Sequence, residues 1–84
     1  MAYYVYVLRS TTSGRFYVGS TQDPQRRIAE HNRGKVLATR GRGPWEMAYR
    51  EEHATRADAM RRERGFKRMK SRARLLELLS RQVG

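Results

Sequence analysis

The sequence predicts an α+β fold: a small three-stranded antiparallel sheet flanked by helices, in the order β-β-α-β-α-α. Three features predict it. An aromatic and β-branched run, Tyr3-Tyr4-Val5-Tyr6-Val7-Leu8, is followed after a polar turn by a second short apolar run. Two helix starts are written into Asp23-Pro24 and Thr55-Arg56-Ala57-Asp58. Near the C-terminal end Leu75, Leu76, Leu78 and Leu79 form one apolar stripe at helical spacing. The chain has 84 residues, so one domain, residues 1–84, is expected.

Each element has its own local reason. Residues 3–8 favour a strand, and their near-continuous apolarity points to a strand covered on both faces. Residues 10–15, Ser-Thr-Thr-Ser-Gly-Arg, make a polar turn. Phe16-Tyr17-Val18-Gly19 is the returning strand of an antiparallel hairpin. Asp23 can cap a helix that has Pro24 at its first position, and Asn32-Arg33-Gly34 reads as its stop. Residues 35–44 contain Gly41, Gly43 and the cations Lys35, Arg40 and Arg42, which predicts a mobile basic loop. Residues 45–50 read as a third strand. A helix runs from the Thr55–Asp58 capping box to about Met69, and Ser71 starts a last helix over residues 72–81.

Composition narrows the function. A chain of this length buries only about 60–65% of its unfolded surface, which suits an open site rather than a deep pocket for a large cofactor. With no cysteine and two histidines, disulfides, thiolate chemistry and Cys- or His-rich metal cages are excluded. No apolar run approaches the roughly 20 residues of a membrane helix, and the first residues lack the order of a signal peptide. A cytoplasmic protein is expected. Nineteen basic residues against eight acidic ones give a net charge of +11. Sixteen of the nineteen are arginine, whose planar fork grips phosphate, so the expected partner is a polyanion. An arginine-rich genome would give the same count without that meaning.

Several residues can carry chemistry, each with a plain structural alternative. Tyr6 and Tyr17 send their hydroxyls from one face if the hairpin register sets them opposite or diagonal; either can also be an ordinary sheet aromatic. Gly19 implies a close approach to the backbone, or simply a turn. Arg27 and His31, four residues apart, share a helix face. Glu63 is the one acid among the eight cations between residues 61 and 74. It can form an i,i+4 pair with Lys67, or serve as the single carboxylate that a hard divalent ion often needs beside phosphate and water.

Taken together these residues resemble the GIY-YIG nuclease superfamily, in particular its small stand-alone bacterial members. Tyr4-Val5-Tyr6 and Tyr17-Val18-Gly19 are similar to the paired tyrosine motifs, with Tyr4 in the place of the first glycine and Val5 and Val18 in the places of the isoleucines. Arg27 and His31 fall at the family's helix positions and Glu63 at its metal-binding glutamate. The resemblance spans residues 3–79. It implies metal-dependent hydrolysis of DNA phosphodiesters, with structure preference and a place in repair or recombination.

On that resemblance, Glu63 would bind one divalent ion, Mg²⁺ or Mn²⁺, and Arg27 would neutralise charge on the phosphate. Tyr6 would accept the proton of the attacking water, helped by a hydroxyl pKa lowered by arginine and metal. Tyr17 and His31 would position water or phosphate. Arg26, Lys35, Arg40, Arg42, Arg61, Arg64, Lys67 and Lys70 are the expected nucleic-acid contacts, with steep salt dependence. Trp45 either stacks on an unpaired base or fills the core. Selectivity in so small a nuclease often calls for a protein partner or a homodimer. The rival reading is a non-catalytic module on the same fold that binds DNA, RNA or the ribosome.

Overall fold

A computed structural model describes residues 2–69. Its elements are β1 (Tyr3–Ser10), β2 (Phe16–Thr21), α1 (Pro24–Asn32), β3 (Trp45–His53) and α2 (Arg56–Lys67). The three strands form one antiparallel sheet in the order β2-β1-β3, which leaves β2 at an edge. The expected α+β architecture is present. Strands β2 and β3 run further than the sequence implied, to Thr21 and His53, because each pairs along the central β1. Helix α2 stops at Lys67 rather than Met69, with Arg68 as its cap. The last helix expected at residues 72–81, its leucine stripe and Lys70 lie outside the described residues.

Strand β1 is central, and Val5, Tyr6, Val7 and Leu8 are all buried. Alternation sends Val5 and Val7 to one face and Tyr6 and Leu8 to the other. The first face packs against α2: Val5, Val7, Val18, Ala59 and Phe66 make its core, with Tyr49 meeting Phe66 edge-on at 6.0 Å. The second face packs against α1: Tyr6, Leu8 and Trp45 are buried there with Tyr17, Ile28 and Met47 beside them. Between Val7 and Leu8 the register with β3 slips, so that Val7 faces Tyr49 and Leu8 faces Met47.

Both helix starts behave as their sequences dictate. The Asp23 side chain accepts from the Arg26 amide and Pro24 opens α1. The Thr55 hydroxyl accepts from the Asp58 amide and opens α2. The helices thereby start at fixed points, which sets Arg27 and His31 over one face of the sheet and Glu63 over the other.

Candidate active site

The hairpin register places Tyr6 opposite Gly19 and Leu8 opposite Tyr17. Tyr6 and Tyr17 are therefore diagonal neighbours on one face, with ring centroids 6.5 Å apart. Gly19 is bare for a reason visible in the packing. A Cβ there would stand 2.5 Å from the Tyr6 hydroxyl oxygen and 2.7 Å from Cζ, inside contact distance. The phenol lies across the glycine backbone, and of the two readings of Gly19 the close approach is the one observed.

His31, from the last turn of α1, comes down on this pair. Its ring lies 5.8 Å from Tyr6 and 4.9 Å from Tyr17. The Tyr6 hydroxyl and His31 Nε2 are 3.0 Å apart, and His31 Nδ1 is 2.7 Å from the Thr39 hydroxyl. Tyr6, His31 and Thr39 are each at most 2% exposed, so this polar chain is buried. Burial, with the Arg27 charge acting in the same sense, pushes the His31 pKa below its ordinary value; Glu30 opposes weakly. The imidazole is thus neutral near pH 7, with one nitrogen a donor and the other an acceptor.

The loop expected to be mobile is tied down at its centre. Thr39 is buried between His31 and Trp45, whose indole N–H donates to the Thr39 carbonyl. Asn32 clamps the Trp45 backbone at both its N–H and its carbonyl. Arg40 Nε donates to the Gly34 carbonyl, and the Ser10 hydroxyl donates to the Arg42 carbonyl. The local composition of Gly and cations concealed this, because the anchor is a tertiary contact with α1 and β1. Trp45 itself is buried, a core residue rather than an exposed stacking platform.

Arg27 stands beside Tyr6 while its Nη1 donates to Glu30 at 3.2 Å. The protein's own groups move the Tyr6 hydroxyl the opposite way from the expectation, which counted a metal ion together with arginine. Burial raises the hydroxyl pKa above the ordinary value, Arg27 pulls it down, and the nearby Tyr17 and Glu63 push it up again. The net direction is upward, because loss of water around a phenolate outweighs the one cation beside it.

Glu63 arrives from the opposite layer. Its carboxylate lies at the edge strand, where the Ser20 hydroxyl donates to Oε1 at 2.6 Å and Lys67 Nζ stands 2.6 Å from Oε2. Burial raises its pKa, but Lys67, Ser20 and Arg64 together outweigh burial, and the net shift is downward. The group is an ionised oxygen donor whose charge is felt at Tyr6. An open cleft between the end of β2 and the start of α1 has Ser20, Thr21, Arg26 and Arg27 in its wall, so the Glu63 partner and the helix arginine border one space. Among the described residues no three acidic or imidazole groups cluster. The Glu63 carboxylate is a single hard oxygen ligand of the kind that Mg²⁺ takes together with water and phosphate oxygens.

Of the expected site residues, Tyr6, Tyr17, Arg27 and His31 come together on the α1 face. Glu63 reaches their field around the edge of the sheet. The expected nucleic-acid contacts Arg26, Lys35, Arg40, Arg42, Arg61, Arg64 and Lys67 are all exposed. Three of them carry acidic partners: Arg26 lies 3.8 Å from Glu30, Arg61 lies 3.1 Å from Asp58, and Lys67 holds Glu63. Sequence reasoning missed Thr39 and Ser20. Neither stands in a motif, and hydroxyls in a turn and on a strand give no signal until the backbone brings them to a histidine and a carboxylate.

Residues 2–75 match the GIY-YIG catalytic domain. A UPF0213 protein of Natronomonas pharaonis is 39% identical over 83 residues, which is 98% of this chain and 95% of that protein. A UPF0213 protein of Halobacterium salinarum is 42% identical over 68 residues, 80% of this chain and 87% of that one. The solution NMR structure of a UPF0213 protein from Bacillus halodurans aligns with a TM-score of 0.60 at 38% identity, covering 95% of this chain and 84% of that one. The structure-specific endonuclease subunit slx1 of Xenopus laevis is 48% identical over 52 residues, which make up 54% of this chain and 18% of that larger protein. Among the described residues no helix is long and apolar enough to cross a membrane.

Proposed function

This chain belongs to the GIY-YIG catalytic-domain family, and from that premise we propose that it is a metal-dependent endonuclease that hydrolyses DNA phosphodiester bonds with a preference for structure over sequence. The observation that carries the reading is the buried Tyr6–His31 hydrogen bond, set within the fields of Arg27 and Glu63. A buried phenol hydroxyl needs a partner in any case; a neutral imidazole is a partner that can also take the phenol proton.

In this reading the oxygen of Tyr6, a residue 1% exposed in the free protein, is reached by the attacking water only when substrate binding opens its surroundings; it takes a proton from that water while its own proton passes to His31 Nε2. The water oxygen bonds to phosphorus, the bond from phosphorus to the leaving oxygen breaks, and that oxygen takes a proton from solvent. The imidazolium returns its proton to Tyr6, which releases the proton taken from water to solvent, and both side chains are restored. The raised pKa of Tyr6 gives its oxygen high affinity for the incoming proton, and His31 removes the need for a free phenolate beforehand. Arg27 neutralises charge growing on the phosphate. Glu63 is the residue that would hold a divalent ion, which when bound would supply Lewis-acid stabilisation. Exposed cations of the 35–44 loop and of α2 hold the backbone without reading bases.

The test is cleavage of labelled duplex, nicked, branched and single-stranded DNA in Mg²⁺, Mn²⁺ or chelator. The native protein is expected to cut at least one structured form in an ion-dependent way. Glu63→Gln is expected to lose roughly 10³-fold of that rate, the equivalent of several kcal/mol of transition-state stabilisation, while DNA affinity stays within about threefold. Equal cutting by Glu63→Gln, or cutting in chelator, sinks the one-ion scheme. One observation favours a second reading, a binding module without catalysis: Lys67 and Ser20 already satisfy Glu63 as a structural ion pair would. Salt-sensitive binding with no cleavage of any form would establish that reading instead.

A further inference from the structure

We propose that Thr39, a residue of the basic loop, is the positioning residue that fixes the tautomer of His31 and thereby aims its Nε2 lone pair at the Tyr6 hydroxyl. The inference rests on the proposed role of Tyr6 and His31 for its functional meaning, though not for its geometry.

The argument is a count of hydrogens. The Thr39 hydroxyl has one proton to give and two nearby acceptors, the Val36 carbonyl at 3.4 Å and His31 Nδ1 at 2.7 Å. A backbone carbonyl can only accept. In the proposed arrangement the hydroxyl donates to Val36, the longer of its two contacts; its oxygen is then left to accept, and Nδ1 carries the imidazole proton. Nε2 is then bare, and the Tyr6 hydroxyl donates to it across 3.0 Å. The opposite arrangement makes Nε2 a donor to Tyr6. The phenol proton then has nowhere to go, and His31 cannot receive it.

The surroundings hold Thr39 to this task. Its side chain is 1% exposed, so water cannot replace it. Its amide donates to the Val36 carbonyl and its own carbonyl accepts from the Arg42 amide and the Trp45 indole. Hydrogen bonds on both sides thus hold the backbone of the residue, and the hydroxyl is kept in place by its own contacts with His31 and Val36. The turn that carries Lys35, Arg40 and Arg42 is thus built around the same residue that orients the histidine. Phosphate-binding surface and proton acceptor are positioned by one segment.

The experiment is ¹⁵N NMR of histidine-labelled protein near pH 7, with cleavage measured on the same samples. The native His31 is expected to show a protonated Nδ1 and a bare Nε2. Thr39→Ser keeps the hydroxyl and is expected to keep that pattern and a rate within about threefold of native. Thr39→Val keeps the shape and loses the acceptor. It is expected to shift His31 toward the Nε2-protonated form, with kcat down about 10- to 100-fold and KM little changed. A native spectrum with Nε2 protonated overturns the proposal. So does a Thr39→Val spectrum identical to the native one. Should no form cleave DNA while the tautomer shifts as expected, the positioning role stands and it is the nuclease reading that falls.

Discussion

The two faces of the sheet solve different problems with alternate residues of one strand. On the α2 side, Val5 and Val7 join Val18, Ala59 and Phe66 in a core with no buried hydroxyl of its own. On the α1 side, Tyr6 leads into a buried hydroxyl–imidazole–hydroxyl chain through His31 to Thr39. An apolar core gains stability from area alone. A buried polar chain gains little net stability and is destabilising when one member is lost. The contrast teaches that one strand serves two kinds of interior: apolar packing under α2, and a buried polar chain under α1 and the loop after it.

That contrast can be broken by experiment, and the largest effect belongs to the apolar side. Phe66→Ala removes a ring that is 2% exposed and is expected to cost about 3–5 kcal/mol in denaturant unfolding. Residual folded protein should still show the native His31 spectrum; a changed tautomer would mean that the faces are not independent. Tyr6→Phe comes next. Leaving His31 without its partner is expected to cost about 1–3 kcal/mol, less than Phe66→Ala, yet to lower cleavage by about 10²- to 10⁴-fold. Full activity in that variant ends the role of Tyr6 as base.

The smallest effect is a pH dependence. The folded-state pKa of His31 is depressed, chiefly by burial and then by Arg27, with Glu30 opposing and the tyrosine hydroxyl of β1 hydrogen-bonded to the ring. A histidine lowered in this way binds fewer protons folded than unfolded. Its contribution is complete above the unfolded value near 6.5 and is lost as pH falls through the lower folded value. Unfolding free energy is thus expected to fall as the solution is acidified below about pH 6.5, and His31→Gln should flatten that slope. An unchanged slope would place the responsible group elsewhere.

Much of this architecture was legible before any coordinates. Strand β1 and both helix caps follow from local pattern, because alternation and capping involve near neighbours, whereas the shared face of Tyr6 and Tyr17 waited on the hairpin register. The Glu63–Lys67 pair is equally local, at i,i+4 on one helix. What could not be read depends on chain segments that meet only in the folded state. Thr39 acquires its role when the loop returns over α1. The upward shift of Tyr6 follows from burial, and a sequence counts the arginine beside it more readily than the water it loses. Gly19 was visible as a glycine, but the phenol lying on it was not.

The ammonium of Lys67 against Glu63 gives the proposed metal step an unusual starting point. A divalent ion that took the carboxylate would have to displace a resident cation one helical turn away. Net affinity would then be a difference between two occupants. Because the lysine stays tethered, the site would gain both charges of the ion, and an arriving phosphate is the group that would offset them.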